Sequence, residues 1–220
     1  KQHYGNSKTR MAWDNFWHHY KYHVLVTVLV AIVVAMGINS YLDKRAEKIA
    51  ESKLPPADLE VLYVGQFRHD NEDALGKAML GIKPEWKRIK AMISYNPENP
   101  LDQYDVASVQ KNMLTLMTEK PDVYISDKYD FELLVPQKAF MPLDELVEGI
   151  DESRLLTGRT EEDTMDHVYG IDLSDLPNFQ SWGLYGKEEW IFSLRYDTEN
   201  IDKAMAYVRS LLKQVSSDQP

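Results

Sequence analysis

The chain contains no cysteine in its 220 residues. This excludes disulfides, thiolate zinc sites and cysteine nucleophiles in one step. A Gly-x-Ser-x-Gly elbow, a glycine-rich phosphate loop and a His-Glu-x-x-His helix are equally missing. His69 and His167 are present, but neither has a serine or acidic neighbour whose setting points to a triad. Carboxylates are numerous because the chain is acidic, so pairs of them carry little information. The expectation is a protein that is not an enzyme and carries no cofactor.

Positive charge is the next shortage, with Lys+Arg 25 against Asp+Glu 35 and a formal charge of −10. Residues 1–42 hold Lys1, Lys8, Arg10 and Lys21 against Asp14 alone. The remainder of the chain, from residue 43 onward, is therefore more acidic than the whole. A body of that charge has little with which to neutralise phosphates, which argues against nucleic acid as a partner.

What the chain does possess is a membrane-sized apolar run. From Val24 to Ile38 the only polar side chain is Thr27, and at ~1.5 Å per residue the run covers ~22 Å. A hydrocarbon core of about 30 Å calls for ~20 residues, and the flanks supply the difference. Trp13, Trp17, Tyr20 and Tyr22 crowd one edge and Tyr41 marks the other, the placement expected of aromatic rings at a membrane interface. Lys21, Lys44 and Arg45 can reach outward from either end. A cleaved signal, with Ala35-Met36-Gly37 as the cut site, and a buried core helix are the alternatives. The long aromatic lead-in argues against the first, and the polar character of the chain, with a mean hydropathy of −0.45, against the second. A retained spanning helix is expected. Basic residues flank both ends equally, since Lys44, Arg45, Lys48 and Lys53 match the four on the amino side, so charge alone leaves the orientation open.

Two clusters invite a metal reading. His19 and His23 are one helical turn apart, with His18 beside them, but only Asp14 lies at a spacing that could complete a site. They read as interfacial residues. The acidic run Glu161, Glu162, Asp163 and Asp166 has no calcium-loop spacing and reads as a solvated loop. No metal is expected.

Beyond the apolar run, residues 42–53 alternate in charge at helical spacing and form a short stalk, which Pro55-Pro56 ends. The pattern then predicts a strand at Asp58–Phe67, a helix at Asp70–Leu80, a strand at Arg88–Tyr95, a helix at Asp105–Lys120 and a strand at Pro121–Ser126. In the second of these helices Val106, Val109, Met113, Leu116 and Met117 share one face. VYGIDLS is strand-like, and a strand at Glu189–Arg195 and a helix at Thr198–Lys213 complete the series. Strands alternating with helices predict a mainly parallel sheet covered on both faces.

The segment PDVYISDKYDFELLVPQKAFMPLDELVEG, residues 121–149, resembles the extracellular solute-binding proteins of ABC importers. Val168-Tyr169-Gly170-Ile171, followed by Asp172, looks like that family's Val-Tyr-Gly-Ile-Pro strand, with Asp172 where proline is usual. Residues 189–212 look like its returning strand and helix. Only the 15 or so residues of DLPNFQSWGLYGKEE fill the gap where the two-lobed family has its second lobe. The resemblance therefore implies a single, degenerate lobe, and it implies an extracellular place for the domain. The amino-terminal NFWHHYKYHV pattern is similar to that of single-pass proteins of low-GC Gram-positive bacteria.

The expected organisation is a cytoplasmic, interfacial aromatic segment at 1–22, a transmembrane helix at 23–42, a stalk at 43–56 and an extracellular α/β lobe at 57–220. Contacts in open parallel sheets come from loops at the carboxyl ends of strands. That rule selects Gln66 and Arg68 after the first strand, Asn96 after the second, and Asp127 and Tyr129 after the third, with Trp182 from the replacement loop covering them. The alternative is that these are ordinary solvated loop residues. The expected function is a single-pass accessory module of the bacterial cell membrane that docks on a membrane partner, a transporter or a sensor subunit. A small-ligand receptor for sugars or peptides is the alternative, and an enzyme a distant third.

Overall fold

The computed structural model describes residues 6–218. Its first element, α1, runs without a break over Asn6–Ser52. Within it Leu25–Asp43 is 19 residues long, with none of that stretch buried, and is long and apolar enough to cross a membrane. The hydroxyl of Thr27 donates to the carbonyl of His23 at 2.8 Å, so the run's one polar side chain is satisfied inside the helix. Tyr20, Tyr22 and Tyr41 are exposed on α1, whereas the side chains of Trp13, Trp17, His18 and His19 lie outside the described residues.

The chain divides between Pro55 and Pro56 into two units. In chain order the second holds β1 (Leu59–Gly65), β2 (Phe67–Arg68), α2 (Glu72–Met79), β3 (Ile89–Tyr95), α3 (Gln103–Thr118), β4 (Val123–Ser126) and α4 (Lys128–Leu134). It continues with β5 (Leu155–Gly158), β6 (His167–Asp172), α5 (Asn178–Ser181), β7 (Tyr185–Gly186), β8 (Ile191–Leu194) and α6 (Ile201–Asp218). Six strands form one sheet in the order β3-β1-β4-β8-β6-β5, and β2 pairs with β7 separately.

The sheet is mixed and mainly parallel. β3, β1 and β4 run in register in one direction, Leu59 beside Ile89 and Val61 beside Val123. β8 enters antiparallel between β4 and β6, which leaves β6 pointing with the first three. β5 closes the far edge, antiparallel to β6, through a register shift at Leu156/Thr157. The returning strand expected at 189–195 is thus β8, and it fills a gap inside the sheet.

Alternation along β1 divides the interior in two. Leu59, Val61 and Tyr63 face a core completed by Leu75 and Met79 of α2 and by Ala204, Val208 and Leu211 of α6. Leu62 and Val64 face a smaller core with Phe131 and Leu134 of α4 and with Phe140. This period of two is why one strand serves both layers. In the larger core Trp190 lies stacked between Phe67 at 4.5 Å and Phe179 at 4.8 Å.

The amino ends of the parallel strands are fastened by one carboxylate. Asp122, 8% exposed, accepts from Glu60 N at 3.0 Å, Thr198 Oγ1 at 2.8 Å and Asn200 Nδ2 at 3.1 Å. It ties β1 and β4 to the start of α6.

Candidate functional site

The opposite, carboxyl edge of the parallel strands is where sequence places the site, and it is built on a second buried carboxylate. Asp127 is fully buried and caps α4, its Oδ1 accepting from Asp130 N at 2.9 Å. Its Oδ2 accepts from Gln66 N at 3.1 Å. The chain leaves β1 at Gly65 with φ 141°, and a Cβ there would lie 2.7 Å from Asp127 Oδ2. Only glycine lets the backbone pass the carboxylate this closely.

Asp130, also fully buried, extends the brace. Its Oδ1 accepts from Asn96 Nδ2 at 2.7 Å, while Asn96 N donates to Gly65 O at 2.9 Å. Its Oδ2 is buried without a hydrogen-bond partner. Burial, reinforced by the Asp127 carboxylate and opposed by the Asn96 amide, pushes Asp130 up to about 7. Gln66, Asn96 and Asp127 therefore lie at one edge as parts of its frame, joined through the Gln66 backbone N–H, Asp130 and Gly65.

Arg68 stands apart from that frame and is exposed. Its guanidinium lies 4.5 Å from the centre of the Tyr95 ring, a cation–π contact. β2, which carries it, is pinned to β7 by the pairing of Arg68 with Tyr185, and Tyr185 Oη donates to Asp70 at 3.1 Å. Arg68, Tyr95 and Tyr185 line an open groove of about 480 Å³ with His69, Glu72, Tyr104 and Lys111. Three tyrosines and two permanent cations give it flat apolar faces beside positive charge. The volume falls in the range of ligand clefts, roughly 300–1,000 Å³.

Trp182 does not cover this edge. Its ring meets Phe179 edge-on at 5.4 Å and packs against the larger core, while its carbonyl lies 2.9 Å from His69 Nε2. Tyr129 is half-buried on α4, outside the residues that line the groove. Among the described residues no group of three or more His, Asp or Glu could hold a metal ion. The acidic run is tied locally: Asp163 accepts from Thr160 N at 2.7 Å and from Tyr169 Oη at 2.8 Å.

Sequence pattern does not select the groove residues Tyr95, Tyr104, Lys111 and Tyr185, because all four belong to regular elements, β3, α3 and β7, and not to the loops that follow the parallel strands. Asp130 carries a usable signal in Asp127-x-x-Asp130, the spacing at which an N-cap side chain meets the third helical residue.

No protein-family model and no curated protein matches the sequence. Among solved structures the chain is similar to an extracellular solute-binding protein family 1 from Alicyclobacillus acidocaldarius subsp. acidocaldarius DSM 446, at 15% identity and a TM-score of 0.31. The likeness covers 55% of this chain and spans 28% of that one, and at these values it is a distant one.

Proposed function

We propose that the chain is a membrane-anchored binding module without catalytic activity, whose single α/β lobe docks on a membrane partner, a transporter or a sensor subunit. α1 is the anchor in this reading, with the amino terminus cytoplasmic and the lobe extracellular. The outward orientation rests on the solute-binding motifs at 121–149 and 168–171.

One observation carries the docking reading. The carboxyl edge of the sheet is a stiff frame, braced by Asp127, Asp130 and Asn96, that presents an open groove with Arg68 and three tyrosines. Exposed arginine and tyrosine beside a rigid edge are the side chains that dominate protein–protein contacts. A tether favours such docking by holding the lobe at high effective concentration near its partner.

The size of the groove favours a second reading, a receptor for a small ligand. Purification of the full chain from mild detergent, with Arg68→Ala and Tyr104→Ala compared against the parent, separates the two. Recovery of a stoichiometric membrane protein that both variants lose supports docking. Calorimetric heat with sugars, peptides or amino acids, from a chain that purifies without such a protein, supports the receptor.

A further inference from the structure

Helix α3 turns an apolar stripe away from its own domain. Val106, Met113, Leu114 and Met117 are 47%, 67%, 61% and 75% exposed. On the side of α3 that meets the sheet the most buried residue is polar: Asn112, at 5% exposure, accepts at Oδ1 from the Ser94 hydroxyl at 2.7 Å, beside Leu116, which packs on the smaller core. This buried hydrogen bond fixes the roll of the helix and forces the stripe outward. Met113, Leu116 and Met117 line a groove of about 340 Å³ that also takes in Tyr124, Leu134, Arg195 and Asp197. Tyr104 and Lys111 of α3 line a different groove, the candidate site.

We propose that a second copy of this chain covers the stripe, α3 packing antiparallel on the second copy's α3. The charges at its two ends select the occupant and its direction. Asp102 caps the amino end; past the carboxyl end Glu119 pairs with Lys90 of its own domain at 3.9 Å, and Lys120 is exposed. With the two-fold axis between Lys111 and Asn112, Val106 meets the second copy's Met117, Gln110 meets its Met113, and Lys120 meets its Asp102 and Gln103. Opposed helix dipoles favour the same arrangement, and a two-fold pair is the commonest closed assembly. A parallel pair would set Asp102 against Asp102 and Lys120 against Lys120. A bilayer surface is the poorer occupant, because interfacial helices carry a cationic polar face, whereas α3 and its ends hold Asp102, Asp105 and Glu119 against Lys111 and Lys120.

The natural absence of cysteine lets single-cysteine variants of the full chain report one position each. Val106→Cys and Met117→Cys, co-expressed in membranes and oxidised, are expected to form a mixed disulfide. Met117→Cys alone, and the off-stripe control Thr118→Cys, are expected to stay uncoupled. In mild detergent the parent is expected to scatter light as a dimer, and Met113→Glu with Met117→Glu to weaken it at least about tenfold, the equivalent of about 1.4 kcal/mol. These side chains are exposed, so circular dichroism should be unchanged. The proposal is overturned by a monomeric parent, by a dimer that survives the double substitution and so rests on α1, by Met117 coupling to itself, or by cross-linking of the stripe to lipid or to an unlike protein.

Discussion

Asn96 Nδ2 donates to Asp130 Oδ1 at 2.7 Å, joining residues 34 apart in sequence. The contact locks the end of β3 to the first turn of α4, and both residues are buried. It makes the edge beside the candidate groove sensitive to a single proton.

Asp130 is held up near 7 by burial and by Asp127, against about 3.9 for an aspartate in an unfolded chain. The folded state therefore binds its proton more tightly than the unfolded one. That stabilisation is complete below pH ~4, falls as pH rises through about 7, and then levels off. Urea unfolding of the parent at pH 5 and pH 8 should show the loss. Asp130→Asn keeps the acceptor for Asn96, removes the titration, and should be the more stable chain at pH 8 by on the order of 2 kcal/mol. A parent whose stability is flat across that interval would refute the assignment.

At the other edge Asp122 accepts three hydrogen bonds from β1 and from the residues that lead into α6. Asp122→Ala strands the Glu60 amide and the Thr198 hydroxyl. The expected loss is roughly 2–4 kcal/mol, from buried donors left unpaired and a charged acceptor removed. Chemical denaturation measures it, and a change under about 0.5 kcal/mol would mean water replaces the carboxylate.

Much of this architecture is legible in sequence, and the boundaries show where. The strand expected at Arg88–Tyr95 is β3 at Ile89–Tyr95, and the helix expected at Asp105–Lys120 is α3 at Gln103–Thr118. Periodicity marks such elements because one side of each must meet the core. It does not reveal direction: β8 has the same buried pattern whether parallel or antiparallel. Nor does it reveal roll. The apolar face of α3 is plain from spacing, yet Asn112, not Met113, turns inward, because Ser94 supplies a hydrogen-bond partner that makes a buried amide tolerable. The site divides likewise. Loop position identifies Arg68, but Tyr95 and Tyr104 lie inside regular elements, where aromatic residues read as packing.

Trp190 is expected to be the costliest truncation in the larger core. It is sandwiched by Phe67 and Phe179 at 4.5 and 4.8 Å, so Trp190→Ala should lose roughly 3–5 kcal/mol through lost burial and a cavity between two rings. Thermal unfolding followed by circular dichroism checks this, and Trp190→Phe should recover part of the loss.

Anchoring by α1 is tested at the middle of the apolar stretch. Val30→Lys together with Val33→Lys places two charges where each costs about 2.5–3.5 kcal/mol by insertion measurements. The parent should stay with membranes through alkaline carbonate extraction and the variant should wash off. Equal retention would show that something other than α1 holds the chain.

The place of β8 in the sheet has a consequence for biosynthesis. β1, β3 and β4 emerge from the ribosome early, but the flank of β4 is occupied only when Ile191–Leu194 arrive, well after Val123–Ser126 have been made. Until then the nascent protein displays an unzipped strand bordered by apolar neighbours, the kind of edge that recruits stray chains. A stop codon anywhere before residue 191 would leave that vulnerability permanent, so this sheet is closed by a strand made after both of the strands it joins.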